Sequence, residues 1–197
     1  GDNQDKCTLQ GRSALGKSKR GKRSRGWFSK HLITGLFPNS LKTKKLIMTS
    51  QIAIDMGGTN LRAARIENGK IITQLQEPCK AFGTKDEVLE QLYRMISQLN
   101  NGQINRIGVA VPSIVDSQKG IIYDVQNIPS WKEVHLKALL EEHFQIETHI
   151  DNDVNCFVNA ERLYGEGQSF HNFVGITLGT GVGAGIVIDD KLYRGID

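Results

Sequence analysis

No apolar run in this chain approaches the roughly 18 residues that a membrane-crossing helix needs. The longest, 107–111 and 186–188, are a few residues each, so no transmembrane segment is expected. Cysteine is scarce: Cys7, Cys79 and Cys156 are far apart and form no C-x-x-C pair. That excludes a disulfide framework, leaves each as a free thiol rather than a ligand or nucleophile, and fits a reducing, cytoplasmic setting. Also missing from the N-terminal segment is the helical apolar periodicity of a helix-turn-helix, which argues against a sequence-specific DNA reader. What remains is a chain of 197 residues, 39% apolar, large enough to bury a core and to hold one domain and part of another.

The net charge of +4 is unevenly placed. Residues 1–47 carry 12 Lys or Arg against 2 Asp, a net +10, whereas the remainder carries 13 basic against 19 acidic residues, a net −6. The body is acidic and the basic character belongs to a tail. Rich in Lys, Arg, Ser and Gly and without sustained periodicity, residues 1–47 are expected to be disordered. A targeting presequence, a nucleic-acid-binding arm and sequence unrelated to the folded domain all fit that composition. The third is preferred, because Met48 stands just ahead of a strong strand signal and makes a plausible domain start.

From there the pattern is regular. Residues 51–56 predict a strand, Gly57, Gly58 and Thr59 a tight turn, and 60–67 a second strand alternating between two faces. Asn68-Gly69 supplies a hairpin turn into a third strand over 70–74. Thr84 and Glu87 form a capping box, after which Val88, Leu89, Leu92, Ile96 and Leu99 follow at helical spacing until Asn101-Gly102. The nearly continuous apolar run 104–111 predicts a central strand, followed by a loop holding Pro112 and Ser113. A short strand over 121–125, a helix over 133–143 entered from Ser130, and a strand over 146–150 come next. A helix over 153–164, capped by Asn152 or Asp151 and stopped by Gly165, leads to strands at 173–178, 183–189 and 191–194. This order is mixed α/β and not the strict alternation of a dinucleotide fold.

Three places carry chemistry. A strand ending at Asp55 and turning through Gly57, Gly58 and Thr59 leaves backbone N–H groups uncovered for a phosphate. A carboxylate there would repel phosphate unless Mg²⁺ lay between, held through water; alone, the pattern fits equally a turn in which Asp55 accepts its own N–H groups. The second place is Gly179, Thr180 and Gly181, continuing through Gly183 and Gly185. It is followed by a strand rather than a helix, so it reads as a hairpin tip offering N–H and O–H donors to a second phosphate region, or as a structural glycine bend. Third, Asp153 opens a helix straight after a buried strand, where it could take the proton of an attacking alcohol while Asn152 orients a sugar. Taken alone, Asn152 and Asp153 fit a plain N-cap pair.

Together, Asp-x-Gly-Gly-Thr-x-x-Arg, then Asn-Asp, then Gly-Thr-Gly-x-Gly-x-Gly resembles the ROK family of sugar kinases and repressors, from residue 51 to the last. The resemblance implies a ribonuclease H-like fold of the actin and hexokinase type, with the first domain (48–152) near complete and the second (153–197, a hinge helix and its first strands) only begun. It implies Asp55, Gly57, Gly58, Thr59, Gly179, Thr180 and Gly181 as ATP-binding residues, Asp55 as the Mg²⁺ contact, Asp153 as catalytic base and Asn152 as a sugar ligand. Arg62 completes the first motif as a scaffold or functional cation. The segment from Val111 to Asp116 resembles the family's Pro-Gly-x-Val-Asp element with Ser113 in place of glycine, and Asn127 resembles another sugar-side position; Trp131 beside it reads as core.

The implied activity is that of a transferase of carbohydrate metabolism: phosphorylation of a hexose hydroxyl by ATP, glucokinase-like. The partner is a hexose or amino sugar, with no membrane or specific nucleic acid, and the intact protein is compatible with a homo-oligomer. The family's Glu-x-Gly-His element and structural zinc cysteines do not occur here. The chain as given is therefore expected to be a C-terminally truncated piece, marginally stable, with exposed apolar surface and without appreciable activity. The alternatives are a sugar-responsive repressor of the same family and a non-catalytic sugar- or nucleotide-binding module.

Overall fold

The computed structural model describes residues 50–179 and 181–195. The basic tail over 1–47, Met48 as a start and Thr180 lie outside the described residues. The chain begins with an antiparallel meander: β1 (Ser50–Met56), β2 (Asn60–Glu67) and β3 (Lys70–Pro78). Strand β1 is buried almost throughout, as a central strand must be, whereas β3 alternates exposed and half-buried residues at the sheet edge. Asn68 and Gly69 join β2 to β3 with φ of 49° and 75°, the left-handed pair that a type I′ turn requires.

Helix α1 (Lys85–Leu99) starts as its sequence dictates. The Thr84 hydroxyl accepts from the Glu87 N–H at 3.2 Å, and the Glu87 carboxylate accepts from the Thr84 N–H at 2.7 Å. Its Val88, Leu92, Met95, Ile96 and Leu99 face Ile52, Ile54, Met56 and Leu61 of the sheet in the main core. Strand β4 (Ile104–Val111) runs parallel to β1. A small sheet follows, β5 (Ile114–Asp116), β6 (Ile121–Tyr123) and β7 (Glu133–Val134), with Trp131 fully buried beneath it. Helix α2 (Leu136–Phe144) leads to β8 (Glu147–Asn152), parallel to β4 and completing a five-stranded sheet in the order β3-β2-β1-β4-β8. This is the ribonuclease H-like arrangement: three antiparallel strands, then two parallel ones beyond β1.

Helix α3 (Asp153–Tyr164) sits between two sheets. On one side its Cys156 packs against Ala53, Ala64, Ile66 and Ala110 of the first sheet. On the other it meets β9 (Phe173–Leu178) and β10 (Val182–Ile188), the latter pairing with both β9 and β11 (Lys191–Tyr193). A Cβ on Gly175 would lie 2.4 Å from Val158 Cγ2, and one on Gly183 2.4 Å from Val154 Cγ2, so these strand glycines let the helix reach the sheet backbone. The opposite face of that sheet, with Val174, Ile176, Leu178, Val182, Ile186 and Ile188, is exposed, as expected.

Several local expectations are corrected. The predicted helix over 133–143 begins only at Leu136: Glu133 and Val134 form β7, pairing with Tyr123 and Ile122, and no side chain caps the helix at His135. Burying Val134 completely in the small sheet outweighs the local capping signal of Ser130 and Glu133. Strand β3 extends beyond 74 to Pro78, β6 is shorter than 121–125, and β5 occupies what the sequence suggested was loop.

Candidate functional site

Asp55 stands at the end of β1 opposite Arg62 of β2. Its carboxylate is only 13% exposed and accepts from Arg62 Nη1 at 3.3 Å. Burial pushes the Asp55 carboxyl up from 3.8 to about 6, Arg62 pulls it down, and the charge of Asp153 pushes it up again. Arg62 is tied further into the scaffold, its Nε donating to Gln76 Oε1 at 3.3 Å. Beyond Asp55 the chain folds tightly on itself. The Gly57 N–H donates to the Asn60 carbonyl at 3.0 Å, a Cβ at Gly57 would lie 2.9 Å from that oxygen, and the Thr59 carbonyl accepts from the Cys79 N–H at 3.0 Å. At Gly58 a Cβ would fall 2.2 Å from Asn127 Cβ; glycine is what lets the Asn127 side chain lie against the turn.

Asn152 ends β8 and caps α3. Its Oδ1 accepts from the Val154 and Asn155 N–H groups at 2.9 and 3.2 Å, and its Nδ2 donates to the Ser113 carbonyl at 3.1 Å. One amide N–H of Asn152 remains beyond these bonds. The Ser113 hydroxyl donates to the Tyr123 carbonyl, so its proton shapes the loop, and only its lone pairs are left for another group. Asp153 follows as the first residue of α3. Burial pushes its carboxyl up, partly offset by the Val154 N–H that donates to Oδ1 at 2.9 Å.

The acids share one region. Beneath them lies Cys156, 1% exposed, whose thiol burial pushes well up, with Asp151, Asp153 and Asp55 all adding to the rise; it is held as a protonated thiol. The glycine hairpin approaches through its stem, since Gly183 packs on Val154, the residue after Asp153. At the tip the Gly179 N–H donates to the Gly181 carbonyl at 2.9 Å, and no atom stands within 4 Å of a Cβ on either glycine. Asp55, Gly57, Gly58, Asn127, Ser113, Asn152 and Asp153 are thus linked by contacts or charge, with the hairpin joined to them through α3.

Sequence reading missed one part of this region. Asp151, seen only as a possible cap, accepts both Arg194 guanidinium nitrogens, at 2.9 Å on Oδ1 and 2.6 Å on Oδ2. A fork–fork pair between residues so far apart in sequence has no local spacing to betray it.

The donor set suits a magnesium nucleotide. Gly57 and Gly58 present backbone without side chains, the Gly179 and Gly181 tip is open, and Asp55 is a carboxylate whose charged form burial disfavours and that a cation would hold ionised. Magnesium is typically carried by one or two carboxylates together with phosphates and water, which Asp55 can supply without a full protein cage.

Comparison with known proteins places the chain among relatives. The chain is 30% identical over 148 residues to a glucokinase of Thermotoga maritima, covering 74% of this chain and 47% of that protein. It is 26% identical over 115 residues to a xylose repressor of Bacillus subtilis, covering 57% and 29%. Among solved structures, a ROK family glucokinase from Streptomyces griseus in complex with glucose and AMPPNP superposes with a TM-score of 0.66 at 27% identity, over 75% of this chain and 47% of that one. The chain spans about half the length of the glucokinases it matches. The ROK family profile covers residues 51–197, and with the sheet order and the two glycine turns in place, the chain belongs to the ROK family.

Proposed function

We propose that this chain carries the front part of an ATP-dependent sugar kinase, with the phosphoryl-transfer site between the start of α3 and the Asp55 turn. The observation that supports this most is electrostatic and spatial at once: Asp153, at the start of α3, lies near enough to the buried Asp55 for its charge to push the Asp55 carboxyl up. In this reading residues 48–152 form the first lobe, and 153–197 the hinge helix and the first strands of the second.

The Gly57, Gly58 and Thr59 turn and the Gly179, Thr180 and Gly181 tip would line the phosphates of ATP; the Gly57 and Gly179 N–H groups already donate to the Asn60 and Gly181 carbonyls, so the donors come from the other residues of each turn and from the threonine hydroxyls, and Asp55 would hold magnesium through water. A magnesium ion held there would supply neutralisation of charge on the transferring group. Asn127, Asn152 through its remaining N–H, and the loop shaped by Ser113 orient a hexose or amino sugar. Asp153 accepts the proton of the sugar hydroxyl as that oxygen bonds to the γ-phosphorus and the bond to the β–γ bridging oxygen breaks. Its partial burial makes it a stronger base than a surface carboxylate.

The test is Asp153→Asn in the whole protein, assayed by hexose-dependent ATP turnover and by sugar binding. Turnover is expected to fall about 10²- to 10⁴-fold, the usual worth of a positioned base, with sugar affinity nearly unchanged. A variant that turns over at the normal rate removes Asp153 from this role.

A second reading, a sugar-responsive repressor, is favoured by the similarity to a xylose repressor. It uses the sugar-side residues but gives a base no task; sugar binding without ATP turnover in the whole protein would select it.

A further inference from the structure

We propose that Asp151 and Arg194 form a latch between the two sheets that positions Asp153, making Asp151 and Arg194 positioning residues for the reaction; this rests on the reading of Asp153 as the base. Arg194 follows β11 at the far end of the second sheet, while Asp151 lies in β8 of the first, paired with Ala110 of β4. The guanidinium grips the carboxylate with both terminal nitrogens, and Nη1 also donates to Ser117 Oγ at 3.1 Å in the turn between β5 and β6. One side chain thus ties the second sheet to β8 of the first and to the β5–β6 turn of the small sheet.

The carboxylate does more than pair. Asp151 Oδ1 also accepts from the Asn152 N–H at 2.8 Å and from Asn155 Nδ2 at 3.2 Å. It therefore brackets Asp153, bonding the residue before it and the residue two after it. Asn152 in turn caps the helix and holds the Ser113 carbonyl. The Asp151 side chain is 15% exposed and that of Arg194 42%, so the carboxylate is sheltered while the guanidinium remains open to solvent, and the pair's role rests on its two-pronged geometry rather than on its charge. A two-pronged Arg–carboxylate bond has a fixed plane, which transmits the orientation of β11 to the first turn of α3. Catalytic groups tolerate little misplacement, about 1 Å being enough to cost about 100-fold in rate.

The experiment is amide hydrogen exchange by NMR on the 197-residue chain, comparing Val154 and Asn155 in the first turn of α3 with Arg162 and Leu163 near its end. In Arg194→Met, protection in the first turn is expected to fall about tenfold relative to the end of the same helix; local openings of this kind are what exchange resolves. Arg194→Lys, which keeps the charge but not the fork, should fall between the two. An equal loss at both ends, which general destabilisation would produce, or no loss at all, overturns the latch. In the whole protein, Arg194→Met should lower kcat about 10- to 100-fold with KM for sugar and ATP held within about threefold; a raised KM at unchanged kcat also overturns it. Because the exchange ratio needs no turnover, it judges the latch even if Asp153→Asn shows that Asp153 is not the base.

Discussion

At the scale of single residues, the argument turns on Asp55. Folding raises its carboxyl from 3.8 to about 6, so the folded protein favours its protonated form. The stability this provides is full below pH ~4 and is lost as the pH rises through about 6. Above that, the chain holds an ionised carboxylate with 13% exposure and one arginine partner at 3.3 Å, against a ceiling of about 3 kcal/mol for a shift of about two pH units. Asp55→Asn is accordingly expected to stabilise the chain by about 1–2 kcal/mol at pH 8 and to leave it nearly unchanged at pH 4, read by thermal unfolding across that range. A lower Tm at pH 8 would show that the pair with Arg62 outweighs the burial. The candidate residues were legible at this scale because each sits beside a local signal: Asp55 before two glycines, Asp153 after a buried strand. Burial was not legible, since it depends on α3 closing over the sheet, and neither was the Arg194 contact made across 43 positions.

At the scale of elements, glycine does two different jobs in one segment. Gly179 and Gly181 form an open tip, while Gly183 and Gly185 lie in β10 where Val154 and Val158 of α3 press on the backbone. Gly183→Ala would place a methyl 2.4 Å from Val154 Cγ2 and 2.8 Å from Thr177 Oγ1, and is expected to cost about 1–3 kcal/mol in urea unfolding. Gly181→Ala meets nothing within 4 Å and should stay within about 0.5 kcal/mol. Equal effects would mean that α3 does not pack so closely on the strand. The sequence signalled that this segment bends but not which glycines serve the helix, because Val154 and Val158 approach from another element. The same limit explains β7: Ser130 and Glu133 look like a helix entry locally, yet pairing of Val134 with Ile122 decides the outcome. Where the local signal and the packing agree, as in the Thr84 and Glu87 capping box with the Val88, Leu92 and Leu99 stripe, the element is found where its residues say.

At the scale of the molecule, α3 is the pivot. It buries Cys156 against the first sheet and Val158 against the second, carries Asp153 at its start, and leaves the far face of the second sheet, from Val174 to Ile188, apolar and exposed. A face of that kind is one that proteins ordinarily cover. The central claim is that elements from both sheets meet around one magnesium nucleotide. It is tested most directly by adding Mn²⁺-ATP, a paramagnetic substitute for the magnesium complex, to the ¹⁵N-labelled chain and mapping which amide signals broaden. The account predicts selective broadening at Gly57, Gly58 and Thr59, at Asp153 and Val154, and at Gly179 and Gly181, lost in Asp55→Asn. Broadening confined to one of these segments, or centred elsewhere on the surface, would contradict it.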